Sequence, residues 1–284
     1  MSTAERLRTD PDPRPARPQH VLEVLSTERL GARMVRVRLG GEGLATFAPN
    51  GWTDAYVKLL FVAQELGLEP PYDLAHLRAS LSPEQRPVTR TYTVRAVEEA
   101  AIVLDVVVHG DAGLAGPWAA SARPGDRIAL HGPGGGYAPD ASADWHLLVG
   151  DESALPAIAA ALEALPADAR GVALVEVHDA DDELTIAHPA GVDLRWLHRG
   201  EPAPETVRTL ADAVAALEWP EGRVHAFVHG ERESVKALRD ELFARRGLAR
   251  AQVSISGYWA QGRTEDRFQA EKREPIGVIL PPEA

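Results

Sequence analysis

The spacing of apolar residues changes once along this chain, near residue 144, and this change constrains the fold more than any other feature. Before it, short segments such as 21–25 and 34–39 alternate apolar and polar residues between turns rich in Gly and Pro. Alternation of this kind is typical of half-buried strands. Further strands are predicted at 56–62, 89–96, 101–109 and 127–130. Many short strands with little helix predict a small antiparallel β-barrel.

After residue 144, apolar runs of strand length alternate with segments of helical period. Strands are predicted at 145–150, 171–178, 193–197, 223–229 and 252–259, with helices at 153–165, 205–217 and 231–246. A β-α-β order predicts a doubly wound parallel sheet with helices on both faces. We therefore expect two domains, a barrel over 20–140 and an α/β domain over 141–260. Residues 1–19 are predicted to be a disordered leader and 261–284 a charged tail with a solvated surface helix.

Charge and composition exclude several classes of function. The chain has 42 Asp and Glu against 30 Lys and Arg, a net charge of −12, and no Cys. An acidic chain is a poor partner for nucleic acid, whose phosphates require a basic surface. Without Cys there is no disulfide, thiolate catalysis or iron–sulfur cluster. No apolar run reaches the roughly 18 residues of a membrane span and no signal peptide is apparent, so we expect a cytoplasmic protein without membrane insertion.

The segment from Arg90 to Arg95, with the sequence RTYTVR, carries the strongest chemical signal. On a regular strand, Arg90, Tyr92 and Val94 share one face, and Thr91, Thr93 and Arg95 share the other. A flavin requires an aromatic contact for its flat ring, a hydrogen-bonding group near its reactive edge and cations for its diphosphate. This segment supplies all three within six residues. An edge strand with two solvated arginines is the alternative that remains open.

Three further segments have the composition of ligand-binding turns. Residues 113–118 combine Gly and Ala at a helix start, where backbone amides can bind a diphosphate. Residues 132–137 resemble a phosphate loop but lack its lysine, so a domain hinge or a barrel-rim turn is favoured. Residues 150–157 follow the first parallel strand, where open α/β sheets bind ligands, and Asp151 or Ser153 can cap the next helix. The acidic segment 176–182 favours NADH over NADPH, with Arg199 as the opposing charge.

In their order and spacing, these segments resemble the siderophore-interacting protein family of flavin reductases, which have the fold of ferredoxin–NADP reductase. Also similar are Val57-Lys58-Leu59, the strand 33–37 with the turn 40–44, His109-Gly110 and Gly150-Asp151-Glu152-Ser153. The resemblance implies that Tyr92 lies against FAD and that the second domain binds a nicotinamide. The family often has Ser where this chain has Gly116, and Arg where it has Gly134. The predicted cofactor-binding residues are Arg90, Tyr92, Thr93, Val94, Arg95, His109, Gly113, Ala115, Gly116, Trp118, Asp151, Glu152, Ser153, Ala154 and Trp259.

The resemblance also implies a reaction. NADH or NADPH reduces FAD, which then reduces the iron of a ferric siderophore, and Fe(II) is released because it binds hard oxygen ligands less tightly. Lys58, Arg250 and Arg263 are the predicted substrate-binding residues, and neither a catalytic acid or base nor a metal ligand is expected. A monomer is expected, with a small electron-transfer protein as an alternative donor. Two alternatives stay open: a flavin reductase with another acceptor, and a siderophore-binding protein without enzymatic activity.

Overall fold

In the computed structural model, which describes residues 18–108, 113–201 and 204–280, the first part of the chain forms a closed barrel. Its neighbouring strands run antiparallel in the order β1-β2-β5-β4-β3-β6. The strands are β1 (His20–Leu30), β2 (Met34–Gly40), β3 (Tyr56–Phe61), β4 (Val88–Val97), β5 (Ala101–Val107) and β6 (Arg127–Gly134). Helix α1 (Leu74–Ser80) lies between β3 and β4, and α2 (Ala115–Ser121) lies between β5 and β6.

The barrel is filled by the apolar residues of the alternating segments. Val37, Leu59 and Leu104 belong to this core and are fully buried. The alternation is broken on β4, where the register with β5 shifts between Val94 and Ala96. A bulge of this kind inserts an extra residue and re-aims the side chains beside it. Thr93 and Val94 precede the bulge and are buried on different faces of β4, since Val94 belongs to the barrel core and Thr93 does not.

The second part of the chain is a five-stranded parallel sheet in the order β11-β10-β7-β8-β9. Its strands are β7 (Trp145–Asp151), β8 (Arg170–Val177), β9 (Gly191–His198), β10 (Val224–Glu231) and β11 (Val253–Trp259). Helix α3 (Leu155–Ala164) packs on one face, and α4 (Thr209–Ala215) and α5 (Arg232–Arg239) pack on the other. The central strand β7 is buried along its whole length, which explains its continuous apolar run. The predicted barrel followed by a doubly wound sheet is confirmed.

Several local predictions were wrong. The predicted helix over 205–217 is shorter, because a 3₁₀ turn (Pro204–Arg208) precedes α4, and α5 continues as a π-helix (Asp240–Arg245). The glycine-rich segment 132–137 is not a turn throughout, since its first three residues belong to β6. Its next amides are used inside the protein, because Asp54 Oδ1 accepts hydrogen bonds from the backbone N–H groups of Gly136 and Tyr137, both at 2.8 Å. A phosphate loop is therefore excluded there.

The charged tail forms α6 (Glu265–Glu271), but this helix is not a solvated surface helix as predicted. Phe268 is buried, and Glu271 has a buried side chain that binds three guanidinium groups. Arg232 donates to Glu271 at 2.5 Å, and Arg263 and Arg267 each donate at 2.8 Å. An amphipathic helix held by a buried carboxylate is part of the packed structure, and α6 thereby becomes one wall of the site.

Candidate functional site between the barrel and the sheet

A cavity of about 540 Å³ lies between the barrel, the end of the sheet and α6. This volume is within the range of small-molecule sites. The barrel contributes β3, β4 and β5, and the sheet contributes residues that follow β7 and end β11. Its lining consists of Tyr56, Lys58, Thr91, Tyr92, Thr93, Asp105, Val107, Glu152, Ser153, Pro156, Arg199, Ser256, Tyr258, Trp259, Glu265, Gln269 and Lys272.

On the barrel side, β4 presents Thr91, Tyr92 and Thr93 to the cavity. The ring of Tyr92 packs partly against the barrel core, and burial raises the pKa of its phenol to about 12, so the hydroxyl is protonated at neutral pH. Tyr258 of β11 lines the cavity as well, and burial raises the pKa of its phenol. An aromatic face and two hydroxyl groups are therefore grouped within three residues, as predicted for Tyr92 and Thr93.

On the sheet side, the carboxylate of Asp151 joins three strand ends. Its Oδ1 accepts from the N–H and the hydroxyl of Ser153, at 2.9 and 2.5 Å. Its Oδ2 accepts from the backbone N–H of Glu231 at 2.7 Å and from Trp259 Nε1 at 2.8 Å. Asp151 is itself buried and does not line the cavity. It fixes Ser153 and Trp259, which do.

Beside Ser153, a guanidinium group lies between two buried carboxylates. Arg199 Nη1 is 2.5 Å from Glu152 Oε2 and 3.8 Å from Glu176 Oε1. Burial raises the pKa of Glu176 to about 7, although the charge of Arg199 opposes this shift. Glu152 Oε1 has no hydrogen-bond partner among the described residues. Glu152 lines the cavity, but this oxygen is itself buried.

Two lysines line the same cavity from opposite parts of the protein. Lys58, on β3, donates to Thr91 Oγ1 at 3.0 Å, and its ammonium is 5.8 Å from the ring centroid of Tyr56. Lys272 follows α6, and burial lowers its pKa. Its ammonium lies 4.7 Å from the ring centroid of Phe268. The cavity therefore has a basic side, although the protein as a whole is acidic.

The two predicted arginines of β4 do not line the large cavity. Arg90 pairs with Asp266 of α6 at 3.1 Å, and Arg95 pairs with Glu163 of α3 at 2.5 Å. Arg95 instead borders a second cavity of about 220 Å³. Val94 also borders that second cavity, with its side chain in the barrel core. Both guanidinium groups thus connect the barrel to helices of the second part, because acids distant in sequence pack beside them.

The predicted residues of α2 also lie away from the large cavity. Ala115 is buried, and Trp118 packs edge-on against Phe61 with ring centroids 6.1 Å apart. Gly113 and Gly116 are not part of the lining, and His109 lies outside the described residues. Their contribution to cofactor binding stays a prediction.

Three other predicted residues are not in the cavity lining. Ala154 is fully buried at the start of α3. Arg250 precedes β11, and the cavity lies at the other end of that strand, roughly 20 Å away at ~3.3 Å per residue. Arg263 donates to the buried Glu271. The prediction for the two arginines rests on their proximity to β11 in sequence, which does not specify the end of the strand.

The acidic segment 176–182 is also partly used within the protein. Asp182 Oδ2 accepts from Arg33 Nη1 at 2.7 Å, and its Oδ1 accepts from the Arg33 backbone N–H at 3.0 Å. This carboxylate joins the barrel to the sheet and is buried. Glu176, the first residue of this segment, lies beside Arg199 together with Glu152.

Sequence reasoning missed several residues of the lining, namely Tyr56, Asp105, Tyr258, Glu265, Gln269 and Lys272. A signal was present for some of them. Glu265, Gln269 and Lys272 are spaced by four and three residues, so a helix puts them on one face. Tyr258 is the neighbour of the predicted Trp259. Nothing local marked Asp105, whose carboxylate is buried against Arg36 with two hydrogen bonds of 2.7 and 2.8 Å.

The lining has the chemistry that a flavin requires. Tyr92 offers an aromatic surface, and Thr93 and Ser153 offer hydroxyl groups. Lys58 and Lys272 supply positive charge to the same space. These residues fit the ring portion of FAD.

Comparison with known families decides the classification. Residues 23–137 match the model of the siderophore-interacting FAD-binding domain, and residues 143–262 match that of siderophore-interacting protein. The ferric vibriobactin reductase of Vibrio cholerae is 36% identical over 257 residues, covering 89% of this chain and 93% of its own.

The chain belongs to the siderophore-interacting protein family.

Other proteins are similar to this chain over similar lengths. An uncharacterized protein of Mycobacterium tuberculosis is 49% identical over 91% of this chain and 96% of its own. The NADPH-dependent ferric-chelate reductase of Escherichia coli is 31% identical, over 84% of this chain and 91% of its own. The crystal structure of a siderophore utilization protein from T. fusca has a TM-score of 0.75 and 38% identity, covering 87% of this chain and 94% of that one. The predicted family and its FAD cofactor are thus confirmed.

No helix in the described ranges has the length and hydrophobicity needed to cross a membrane.

Proposed function

We propose that this siderophore-interacting protein is a reductase that uses FAD and a reduced nicotinamide to reduce the iron of a ferric siderophore, releasing Fe(II) in the cytoplasm. One observation supports the proposal above all others. A single cavity is lined by Tyr92 and Thr93 of the barrel, by Ser153 and Trp259 at the end of the sheet, and by a lysine of β3. A flavin ring requires the aromatic and hydroxyl groups of the barrel, and a hydride donor requires polar groups at the end of the sheet. An anionic acceptor requires the positive charge of the lysine.

The cofactor, when bound, accepts two electrons as a hydride and passes them on singly. The residues of the barrel would bind and orient it. The protonated phenol ring of Tyr92 provides a surface for stacking, and the buried Thr93 hydroxyl provides a hydrogen bond at the ring edge. Tyr258, which lines the same cavity, would exclude water from this edge.

The residues that follow β7 would bind the nicotinamide donor. The Ser153 hydroxyl, which already donates to Asp151, can accept a hydrogen bond from a ribose hydroxyl or a carboxamide. Arg199 is already shared between Glu152 and Glu176. Two carboxylates around one guanidinium group leave no excess positive charge for a 2′-phosphate, so NADH is the preferred donor of this protein. The ratio of kcat/KM for NADH and NADPH measures this preference.

The basic wall would bind the acceptor. A siderophore chelate that carries negative charge is attracted by Lys58 and Lys272, and no protein ligand to iron is needed because the siderophore already holds it. Two electrons from one nicotinamide reduce two Fe(III) ions. Since Fe(II) binds hard oxygen donors less tightly, reduction weakens the complex and releases the metal.

The purified protein should be yellow and should form Fe(II) from a ferric siderophore with NADH, as measured with a colour-forming Fe(II) chelator under anaerobic conditions. Lys58→Ala should raise the KM for an anionic ferric siderophore but leave the reduction of a neutral quinone unchanged. Lys236→Ala is the matched control, because Lys236 pairs with Glu233 on α5 outside the cavity. A colourless protein that cannot be reconstituted with FAD would refute the proposal, and an equal loss with both acceptors would refute the role of Lys58.

A reductase with a different acceptor is the second candidate, and one observation favours it. Gly134 has no side chain, and the Tyr56 ring lies over it, so this part of the cavity wall is aromatic and uncharged. A flat neutral acceptor such as a quinone could bind there. The Lys58→Ala comparison distinguishes the two, because a neutral acceptor gains nothing from the lysine.

A further inference from the structure

We propose that Tyr56 is a specificity-determining residue of the acceptor pocket, and that it favours ferric chelates with catecholate rings over chelates with aliphatic hydroxamates. The inference rests on the proposed function, since it concerns the acceptor of the same site. It is carried by the position of the Tyr56 ring, by the glycine beneath it and by the neighbouring lysine.

Tyr56 begins β3 at a point where the strand has neighbours on both sides. It pairs with Thr93 of β4 and with Gly134 of β6. Thr93 is one of the residues proposed to contact the flavin, so the ring lies close to the source of electrons. Tyr56 is 37% exposed and lines the large cavity, and this exposed part is open to a ligand.

The ring can take this position because residue 134 is glycine. A Cβ added to Gly134 would lie 2.6 Å from the hydroxyl oxygen of Tyr56 and closer still to its Cζ. Contacts this short do not occur, so any side chain at 134 would displace the ring. Gly134 and Tyr56 therefore act together, since the absence of one side chain makes room for the other.

A cation is held beside the aromatic ring. The Lys58 ammonium is 5.8 Å from the ring centroid of Tyr56 and is positioned by Thr91 Oγ1 at 3.0 Å. This pair offers a flat surface and a positive charge to the same ligand. A catecholate ring bound to Fe(III) is flat, aromatic and anionic, and can use both. An aliphatic hydroxamate has no ring to stack, and its ferric complex is formally neutral.

The size of the effect follows from the stacking of one ring pair. An aromatic pair strengthens binding by about 2- to 12-fold beyond simple area burial. Replacement of Tyr56 by Leu keeps an apolar side chain of moderate size but removes the aromatic ring. We therefore expect Tyr56→Leu to weaken a catecholate chelate by about 3- to 10-fold and an aliphatic hydroxamate chelate by less than about twofold.

Binding can be measured without any electron transfer by using Ga(III), which has a charge and size close to those of Fe(III) but is not reduced. The FAD-loaded full-length protein would be titrated with a Ga(III) tris-catecholate and with a Ga(III) trihydroxamate, and the two dissociation constants compared. Tyr56→Phe is the matched control, because it keeps the ring and loses the hydroxyl. It should retain the preference for the catecholate.

Gly134→Ala gives a second and independent test. It should weaken the catecholate as Tyr56→Leu does, and the double variant should be no weaker than either single one, because both act on the same ring. Flavin absorption of every variant confirms that the cofactor site is intact. A Gly134→Ala protein with undiminished catecholate affinity would contradict the proposed contact.

The inference is overturned if Tyr56→Leu weakens both chelates equally or neither, if Tyr56→Phe loses as much as Tyr56→Leu, or if the wild type does not bind the catecholate measurably. Failure of the proposed function has a different signature. In that case no ferric chelate is reduced, while the Ga(III) catecholate still binds wild type more tightly than Tyr56→Leu.

Discussion

Replacement of Asp151 by Asn should destabilise the sheet although it changes only one atom of the side chain. The carboxylate of Asp151 accepts four hydrogen bonds, from Ser153 N and Oγ on one oxygen and from Glu231 N and Trp259 Nε1 on the other. In the Asp151→Asn variant one oxygen becomes an NH₂ group that cannot accept. The least costly orientation turns this group toward Ser153, whose hydroxyl can accept, so that the Ser153 N–H loses its partner.

The expected cost can be estimated from these contacts. One unsatisfied donor costs about 1–3 kcal/mol, and the two bonds that remain lose their charge assistance, at roughly 1 kcal/mol in total. Asp151→Asn should therefore lower the free energy of unfolding by about 2–4 kcal/mol. Asp151→Ala removes the acceptor for every donor and should cost about 4 kcal/mol or more. It also frees the Trp259 indole, which should raise the KM for the nicotinamide.

Urea unfolding followed by near-ultraviolet circular dichroism measures the change. Asp212→Asn is the control, because Asp212 is exposed and pairs with Arg208 one helical turn away, a contact worth about 0.5 kcal/mol or less. If Asp151→Asn is as stable as Asp212→Asn, or if Asp151→Ala is no less stable than Asp151→Asn, the reasoning is wrong.

Two further predictions concern the pH dependence of stability. Burial raises the pKa of Glu176 to about 7, above the ordinary value of about 4.3. The contribution of Glu176 to stability is therefore full below about pH 4.3 and is lost as the pH rises to about 7. Glu176→Gln should remove this decline, so the stability of the variant relative to wild type should be higher at pH 8 than at pH 5, as measured by urea titrations. A stability difference that is the same at both pH values would contradict the prediction. The hydrogen bond from Arg232, with those from Arg263 and Arg267, lowers the pKa of Glu271 to about 2. The contribution of Glu271 to stability is present above about pH 4.3 and is lost as the pH falls toward 2. Glu271→Gln should be less stable than wild type at pH 7, with a smaller difference at pH 3, and a difference that grows on acidification would refute the carboxylate's role in holding α6.

Local sequence was sufficient to show which side chains meet at several points of the cavity. Tyr92 and Thr93 are neighbours on one strand, and Glu152 and Ser153 are neighbours in one turn, so each pair reaches the cavity together. Lys58 was recognised because a lysine within an apolar strand has to reach a rim or a cleft.

Sequence could not supply the partner of a charge where that partner comes from a distant segment. Arg90 and Arg95 pair with Asp266 and Glu163, and their assignment to a diphosphate stays a prediction. Lys272 was overlooked because the charged tail was interpreted as solvated. Its helix packs through Phe268 and Glu271 instead.

Local sequence was enough to establish the class of fold and to single out β4 as a strand of the site. The periods of strand and helix, and the apolar run of a central parallel strand, are properties of short segments of the chain. The packed protein was needed to show which arginines are neutralised, which lysines share the cavity and that the Tyr56 ring lies on Gly134. These depend on the relative placement of strands and helices far apart in sequence, and a charge or a ring has no defined environment until that packing is complete.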